Sequence, residues 1–260
     1  MKIVVTGAVG RIGRQMVMEL EDQHELVLLD RRQSGKTGSI CADITAKPAR
    51  RRYRPASPVF AWEHHLECAG AVLHLAGNPS PLASLTDALR SNVEGTWNIL
   101  EAAARNGVPK VVYASSCWAV RRQLDDTSES RSGPIADPHH SSPNTPYGLS
   151  KAAAELAGRM AVEAGSIDCF LAVRIGTVKW KPPREIGTPG VEGSAIGVAD
   201  LRTILRLCLE RPLTGFHVVY GISPIPHRIV DLETTRRVLD WSPLELHEDP
   251  TAEPRVTHTY

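Results

Sequence analysis

Residues 2–13 read K-I-V-V-T-G-A-V-G-R-I-G, and the architecture follows from them. The first five are short and β-branched, as a buried strand requires. Gly7, Gly10 and Gly13 then interrupt the apolar run. Over residues 11–22, Ile12, Met16 and Leu20 recur at helical spacing. A strand, a glycine-rich turn and a helix in that order make a phosphate cradle. The backbone must turn tightly, approach a pyrophosphate closely and let the helix pack on the strand. The N–H groups that open the helix then face the phosphates. A second strand, 26–29, ends at Asp30, where a carboxylate accepts hydrogen bonds from the adenosine ribose. That favours NAD. Arg31 and Arg32 follow at once and would suit the 2′-phosphate of NADP.

Strands and helices keep alternating beyond this unit. Strands are expected at 38–44, 71–75, 110–114 and 168–175, and helices at 59–68, 84–106 and 147–164. The alternation predicts an α/β fold, a Rossmann-type doubly wound parallel sheet, over residues 1–175. In the 84–106 helix, Leu85, Leu89, Val93, Trp97, Leu100 and Ala104 share helical spacing. After residue 176 the texture changes to a Pro/Gly/Lys loop (176–197), a helix (199–210), a strand (216–220) and a helix (230–239). Residues 176–260 are expected to form a small C-terminal substrate lobe interleaved with the first domain. Asp200 reads as the cap of the 199–210 helix. The long polar loop at 121–146 is of the kind that borders active sites. The basic residues within 47–58 read as a solvated face.

The chemistry-bearing pair is Tyr147 and Lys151, four residues apart at a helix start and so on one face. Tyrosine ordinarily ionises near 10, roughly, too high for a base at neutral pH. A neighbouring ammonium, with the positive nicotinamide nearby, is expected to lower it. Ser116 lies just past the 110–114 strand, at the carboxyl end of the sheet where ligands bind in open α/β folds. It can hydrogen-bond a reacting oxygen while Tyr147 takes the proton. Asn92 is placed to hold a water or the helix backbone near Lys151. Asp43 is either an adenine contact or a turn residue. Trp118 is a substrate wall or a packed loop residue, and Cys117 reads as pocket lining. His139 and His140 read as loop residues, and no metal site is expected.

Bulk composition narrows the class. The 260 residues carry 42% apolar and 23% charged side chains and a net charge of +1, so neither nucleic acid nor a membrane surface is indicated. No apolar run suits a membrane span, and the start reaches glycine too early for a signal peptide. Five widely spaced cysteines suggest reduced thiols in a cytoplasmic protein.

Together the segments T-G-A-V-G-R-I-G, A-D-I, H-L-A-G-N-P-S-P, S-N-V-E-G-T, V-V-Y-A-S-S, Y-G-L-S-K and V-A-D-L resemble the extended short-chain dehydrogenases/reductases, the NAD-dependent epimerase/dehydratase family. Within that branch L-A-V-R-I-G-T, H-V-V-Y-G-I-S and V-L-D-W-S-P look most like compact uronate dehydrogenases, which oxidise the anomeric hydroxyl of a hexuronic acid. The resemblance implies a Ser116–Tyr147–Lys151 mechanism with Asn92. It implies a cofactor site of Gly7, Gly10, Arg11, Ile12, Gly13, Asp30, Asp43, Ile44, Leu75, Ala76, Gly77, Tyr147 and Lys151. It places Asn78, Ser116, Cys117, Trp118, Thr177 and Arg184 toward a small-molecule substrate, and implies a homodimer through helices 84–106 and 147–164. Two departures bear on the substrate. Cys117 and Trp118 stand where that family has Asn and His, and Lys179, Lys181 and Arg184 are displaced from its carboxylate-clamping arginine. Three functions stay open: a sugar or sugar-acid dehydrogenase, an epimerase that retains its NAD, and an NADP-dependent ketone reductase.

Overall fold

The computed structural model describes residues 1–32, 39–46, 60–121, 140–180, 194–223 and 230–244. β1 (Lys2–Thr6) runs through the glycine turn into α1 (Arg11–Leu20), which lies against β2 (Glu25–Asp30). β3 (Ser39–Cys41), β4 (Ala71–His74), β5 (Lys110–Ser116), β6 (Cys169–Ile175) and β9 (Gly215–Gly221) complete a seven-stranded sheet in the order β3-β2-β1-β4-β5-β6-β9. Every pairing in it is parallel. Strand order reverses between β1 and β4, so the switch-point crevice opens at Thr6, Gly7 and His74. β9 comes from beyond residue 176 yet forms the edge of the main sheet. A separate parallel pair joins β7 (Thr177–Lys179) to β8 (Ala195–Gly197).

Helices cover both faces. One core cluster joins Ile3, Val5, Met16 and Leu20 to Leu201, Ile204 and Leu205 of α5 (Val198–Glu210). The other joins Val4, Val72, Val111 and Phe170 to Ile99, Ala102 and Ala103 of α3 (Gly95–Arg105) and Ala154 of α4 (Pro146–Glu163). α6 (Glu233–Leu239) follows β9. Among the described residues no helix is long and apolar enough to cross a membrane.

Several elements differ from the sequence expectation. The 59–68 helix is a single 3₁₀ turn, Glu63–Leu66, anchored by Arg105 on both carboxylate oxygens of Glu63. The third strand keeps three residues, so Asp43 sits in a turn beyond it and accepts from the Thr45 N–H and hydroxyl. The 176–197 loop contains β7 and β8. The 84–106 helix is α2 (Leu85–Ala88), a π-turn (Leu89–Glu94) and α3 in succession. Its apolar stripe faces the core only in part: Leu85, Leu89 and Trp97 are 49%, 38% and 40% exposed and Leu100 is buried, while Ala88, Asn92, Thr96 and Ile99 also face inward. Asp200 does not cap α5. Gly197 holds that position, and the buried Asp200 carboxylate ties the Ser223 hydroxyl (2.5 Å) to the Leu244 N–H (2.9 Å).

Candidate functional site

The glycine turn is shaped for a close guest. Gly7 has φ +71°, and a Cβ there would stand 2.7 Å from the Ala76 nitrogen. Gly10 is the N-cap of α1, with no side chain covering the helix's first N–H groups. An anion takes that place well. The residues therefore fit a dinucleotide: Gly7, Gly10, Arg11, Ile12 and Gly13 ring the helix start, with Leu75, Ala76 and Gly77 across the crevice. Asp30 is buried at the tip of β2; its Oδ2 accepts the Val9 N–H at 3.0 Å and its Oδ1 the Arg32 N–H at 2.9 Å. Each oxygen retains a further lone pair for a ribose hydroxyl. Asp30 thus fixes the turn, and its remaining lone pairs would suit a ribose hydroxyl. Ile44 is buried, and its carbonyl accepts from Asn98 at 2.7 Å. Asp30→Asn is expected to cut the ratio of kcat/KM for NAD over NADP by about tenfold, since the charge that repels a 2′-phosphate is lost. Steady-state assays with each cofactor measure this, and an unchanged ratio rules out the ribose role.

The catalytic candidates meet at the ends of β5 and the start of α4. Thr145 caps α4 by accepting the Gly148 N–H (3.1 Å), and Pro146 opens it, which fixes Tyr147 in the first turn. Ser116 is the last residue of β5, and its hydroxyl accepts the Trp118 N–H at 3.3 Å. Lys151 is buried; its ammonium donates to the Ala114 carbonyl at 2.7 Å and stands 5.8 Å from the Tyr147 ring centre. Burial pushes its pKa down to about 8, against a raising effect from Glu155.

The expectation that Lys151 lowers the Tyr147 pKa needs correction for the protein alone. Burial raises it, with the Ser116 hydroxyl pulling the other way and Cys117 adding to the rise. The ammonium is turned to the Ala114 carbonyl, with the Tyr147 ring centre 5.8 Å away.

Asn92 sits in the π-turn, a helix irregularity frequent at functional sites. Its side-chain oxygen accepts the Asn78 N–H (2.7 Å), and its amide donates to the Asn78 carbonyl (3.1 Å) and the Ser150 hydroxyl (2.8 Å). Ser150 donates onward to the Tyr147 carbonyl at 2.7 Å. Asn92 therefore laces the 75–80 loop to the catalytic helix. Gly77, at φ +157°, must be glycine, because a Cβ would stand 2.6 Å from the Asn92 oxygen. The Asn78 Oδ1 accepts the Ser80 N–H at 3.0 Å.

Two buried networks escaped the sequence reading. In the first, Thr6 and Thr96 flank His74 at 2.7 and 3.0 Å. Thr96 donates to the Asn92 carbonyl (2.6 Å), so it must accept from His74 Nε2–H; Thr6 accepts the Ala76 N–H (3.2 Å) and donates to Nδ1. The imidazole is held neutral: burial first, then Lys151, lowers its pKa to about 3. This chain ties the end of β1 to the π-turn. In the second, Arg174 pairs with Glu155 through Nε (3.0 Å) and Nη2 (2.7 Å) and also donates to the His140 carbonyl, the Ser141 hydroxyl and the Tyr220 hydroxyl. Ser115 donates to Glu155 at 2.5 Å. Burial works against the guanidinium, but the hydrogen-bonded Glu155 outweighs it and raises the Arg174 pKa. Arg174 is thus structural. It locks the approach to Tyr147, the neighbour of Ser116 and the helix that carries Lys151.

The Trp118 ring lies edge-on to Tyr147 at 6.3 Å, with Arg121 over its face at 4.9 Å. Thr177 is exposed at the start of β7, and Lys179 is half-buried at its end. Lys181, Arg184 and His139 fall outside the described residues, as do 47–58 and most of the 121–146 loop. Among the described residues no cluster of His, Cys, Asp or Glu is arranged to hold a metal ion. All five cysteines are free. Burial pushes the Cys117 thiol up to about 12, and its Sγ donates to the Arg174 carbonyl at 3.3 Å. Native protein treated with iodoacetamide near pH 8 is expected to label at the exposed Cys41 and Cys68 and to spare Cys117, Cys169 and Cys208. Peptide mass spectrometry reads this, and rapid labelling of Cys117 would reopen it as a nucleophile.

A chain with this sheet, this turn and this Ser-Tyr-Lys cluster belongs to the NAD dependent epimerase/dehydratase family, which it matches over residues 3–178. Its cofactor is NAD, and it is an oxidoreductase-type enzyme of that family. It is 30% identical to the NAD-dependent glucose-6-phosphate dehydrogenase of Haloferax volcanii, over 93% of this chain and 92% of that one. It is 27% identical to the L-arabinose 1-dehydrogenase (NAD(P)(+)) of the same organism, over 93% and 96%. In fold it matches a mutant uronate dehydrogenase from Agrobacterium tumefaciens complexed with NAD, with a TM-score of 0.73, 21% identity and coverage of 94% of this chain and 84% of that one.

Proposed function

We propose that the protein is an NAD-dependent sugar dehydrogenase that oxidises the anomeric hydroxyl of an aldose derivative, a sugar acid or a sugar phosphate, to the lactone. The observation that carries this is the convergence of the Ser116 hydroxyl, Tyr147 and Lys151 at the carboxyl end of the sheet, beside a glycine turn shaped for the dinucleotide. The relatives that match nearly the full chain support the sugar reading, since their names are those of sugar 1-dehydrogenases or a sugar-phosphate dehydrogenase.

Ser116 holds the reacting oxygen by a hydrogen bond. Tyr147, as phenolate, takes the hydroxyl proton as the C–H electron pair leaves the same carbon as hydride. Bound NAD supplies the hydride acceptor. Lys151 adds positive charge behind the phenol and faces the ribose from beside Gly77. Asn92 and His74 hold the π-turn and the 75–80 loop in register with α4. Trp118 forms a wall next to Tyr147, and substrate contact is assigned to Thr177 and Arg184. The test is cofactor reduction at 340 nm with a panel of aldoses, uronates and sugar phosphates. Net NADH formation supports the dehydrogenase. Epimerised product without NADH would favour an enzyme that retains its cofactor.

We also infer a cytoplasmic homodimer through the two neighbouring helices. Leu149, Leu156 and Met160 recur along one exposed side of α4, beside the exposed Leu85, Leu89 and Trp97. Such a contiguous apolar strip marks an interface. Leu156→Glu is expected to shift the mass measured by light scattering from dimer to monomer. A monomeric wild-type protein would refute the interface.

A further inference from the structure

The Arg11 guanidinium, on the first residue of α1, lies over the ring of Trp180 at 4.2 Å from its centroid. The two come from opposite sides of the cofactor crevice. Arg11 belongs to the phosphate turn, and Trp180 follows directly on β7, which leaves the carboxyl end of β6. The contact does not rest on a loose strand. β7 is paired along its length with β8, from Thr177–Ala195 to Lys179–Gly197. Val178 packs into the same apolar cluster as Ile12 and Leu75, the residues flanking the crevice. β8 leads straight into α5, which is tied to α1 through Arg206 and Glu19 at 3.1 Å. Trp180 is therefore carried on a frame fixed to the helix whose N-terminus receives the pyrophosphate.

We propose that Arg11 and Trp180 form a clasp across the cofactor crevice, which encloses the dinucleotide's pyrophosphate and slows its departure. A guanidinium over an indole is attracted by the ring's negative face, and Trp is the strongest partner for it. The stack also holds a cation beside two phosphate charges at little ordering cost when the cofactor arrives. The dinucleotide must part the stack to leave, so the clasp acts on release. This rests on NAD as the cofactor and is independent of the sugar.

The test is NADH dissociation, followed by stopped-flow nicotinamide fluorescence after displacement with excess NAD, in wild type, Trp180→Ala, Trp180→Phe, Arg11→Ala and the Arg11→Ala/Trp180→Ala double variant. Arg11 is exposed, so Trp180→Ala is expected to raise the dissociation rate about two- to fivefold, the range of an exposed cation–π contact. Trp180→Phe should fall between. Arg11→Ala should also speed release, and the double variant should be no faster than the faster single one, because the two residues act as one unit. Rates that multiply in the double variant, or an unchanged rate in Trp180→Ala, would overturn the clasp. Wild-type protein that failed to bind NADH at all would instead overturn the cofactor assignment.

Discussion

Tyr147→Phe is expected to lower kcat by about 10²–10⁴-fold, the usual contribution of a positioned general base, with little change in NADH affinity. The ring is buried at 7% exposure, so phenylalanine keeps its packing against Trp118 and removes only the hydroxyl. Burial raises the Tyr147 pKa, and a positive nicotinamide ring beside it would favour the phenolate. Activity should therefore fall toward acid along one ionisation, and that limb should vanish in the Phe variant. If Tyr147→Phe keeps more than about a tenth of the wild-type rate, the proton goes elsewhere.

The second large effect is on stability. Arg174→Met leaves the Glu155 carboxylate buried with one hydroxyl partner, Ser115, and is expected to cost about 3–5 kcal/mol, the range for breaking a buried pair from one side. It also frees the His140–Ser141 segment that leads to Tyr147, so activity should fall further than stability alone explains. The Arg174→Met/Glu155→Leu double variant removes both charges and should recover much of the loss, since apolar replacement of a whole buried pair is often near neutral. Urea unfolding of the wild type and the two variants reads this. A single-variant cost under about 1 kcal/mol would mean that water reaches the pair.

The sequence made the centre of the sheet legible because β1, β4, β5 and β6 are buried on both faces and read as short apolar runs. β1, β4, β5 and β6 fall within a residue or two of expectation. The 84–106 segment misled at Leu85, Leu89 and Trp97, which face outward, while the inward face carries Asn92, Thr96 and Gly95, which a hydrophobic periodicity does not count; Leu100 is buried as its spacing implied. The π-turn has no sequence signature of its own; within it the Asn92 carbonyl accepts from Thr96, whose other partner, His74, lies on β4. Tyr147, Lys151 and Ser116 were readable because their spacing and strand-end position carry the chemistry. Glu155 and Arg174 were not, because their meaning lies in a pairing between a helix and a strand that only the fold brings together. Asp200 shows the same limit: its position near a helix start suggests a cap, yet its partners lie at residues 223 and 244.

The most direct measurement of the central claim is isotope transfer. The protein would be incubated with NAD and glucuronate or glucose 6-phosphate carrying deuterium at C1, and the reduced cofactor isolated for NMR. The account predicts deuterium at C4 of the nicotinamide, on one face of the ring, in proportion to lactone formed. Reduced cofactor without deuterium would place the oxidation at another carbon. No reduced cofactor, with deuterium retained in an epimerised sugar, would contradict the dehydrogenase itself.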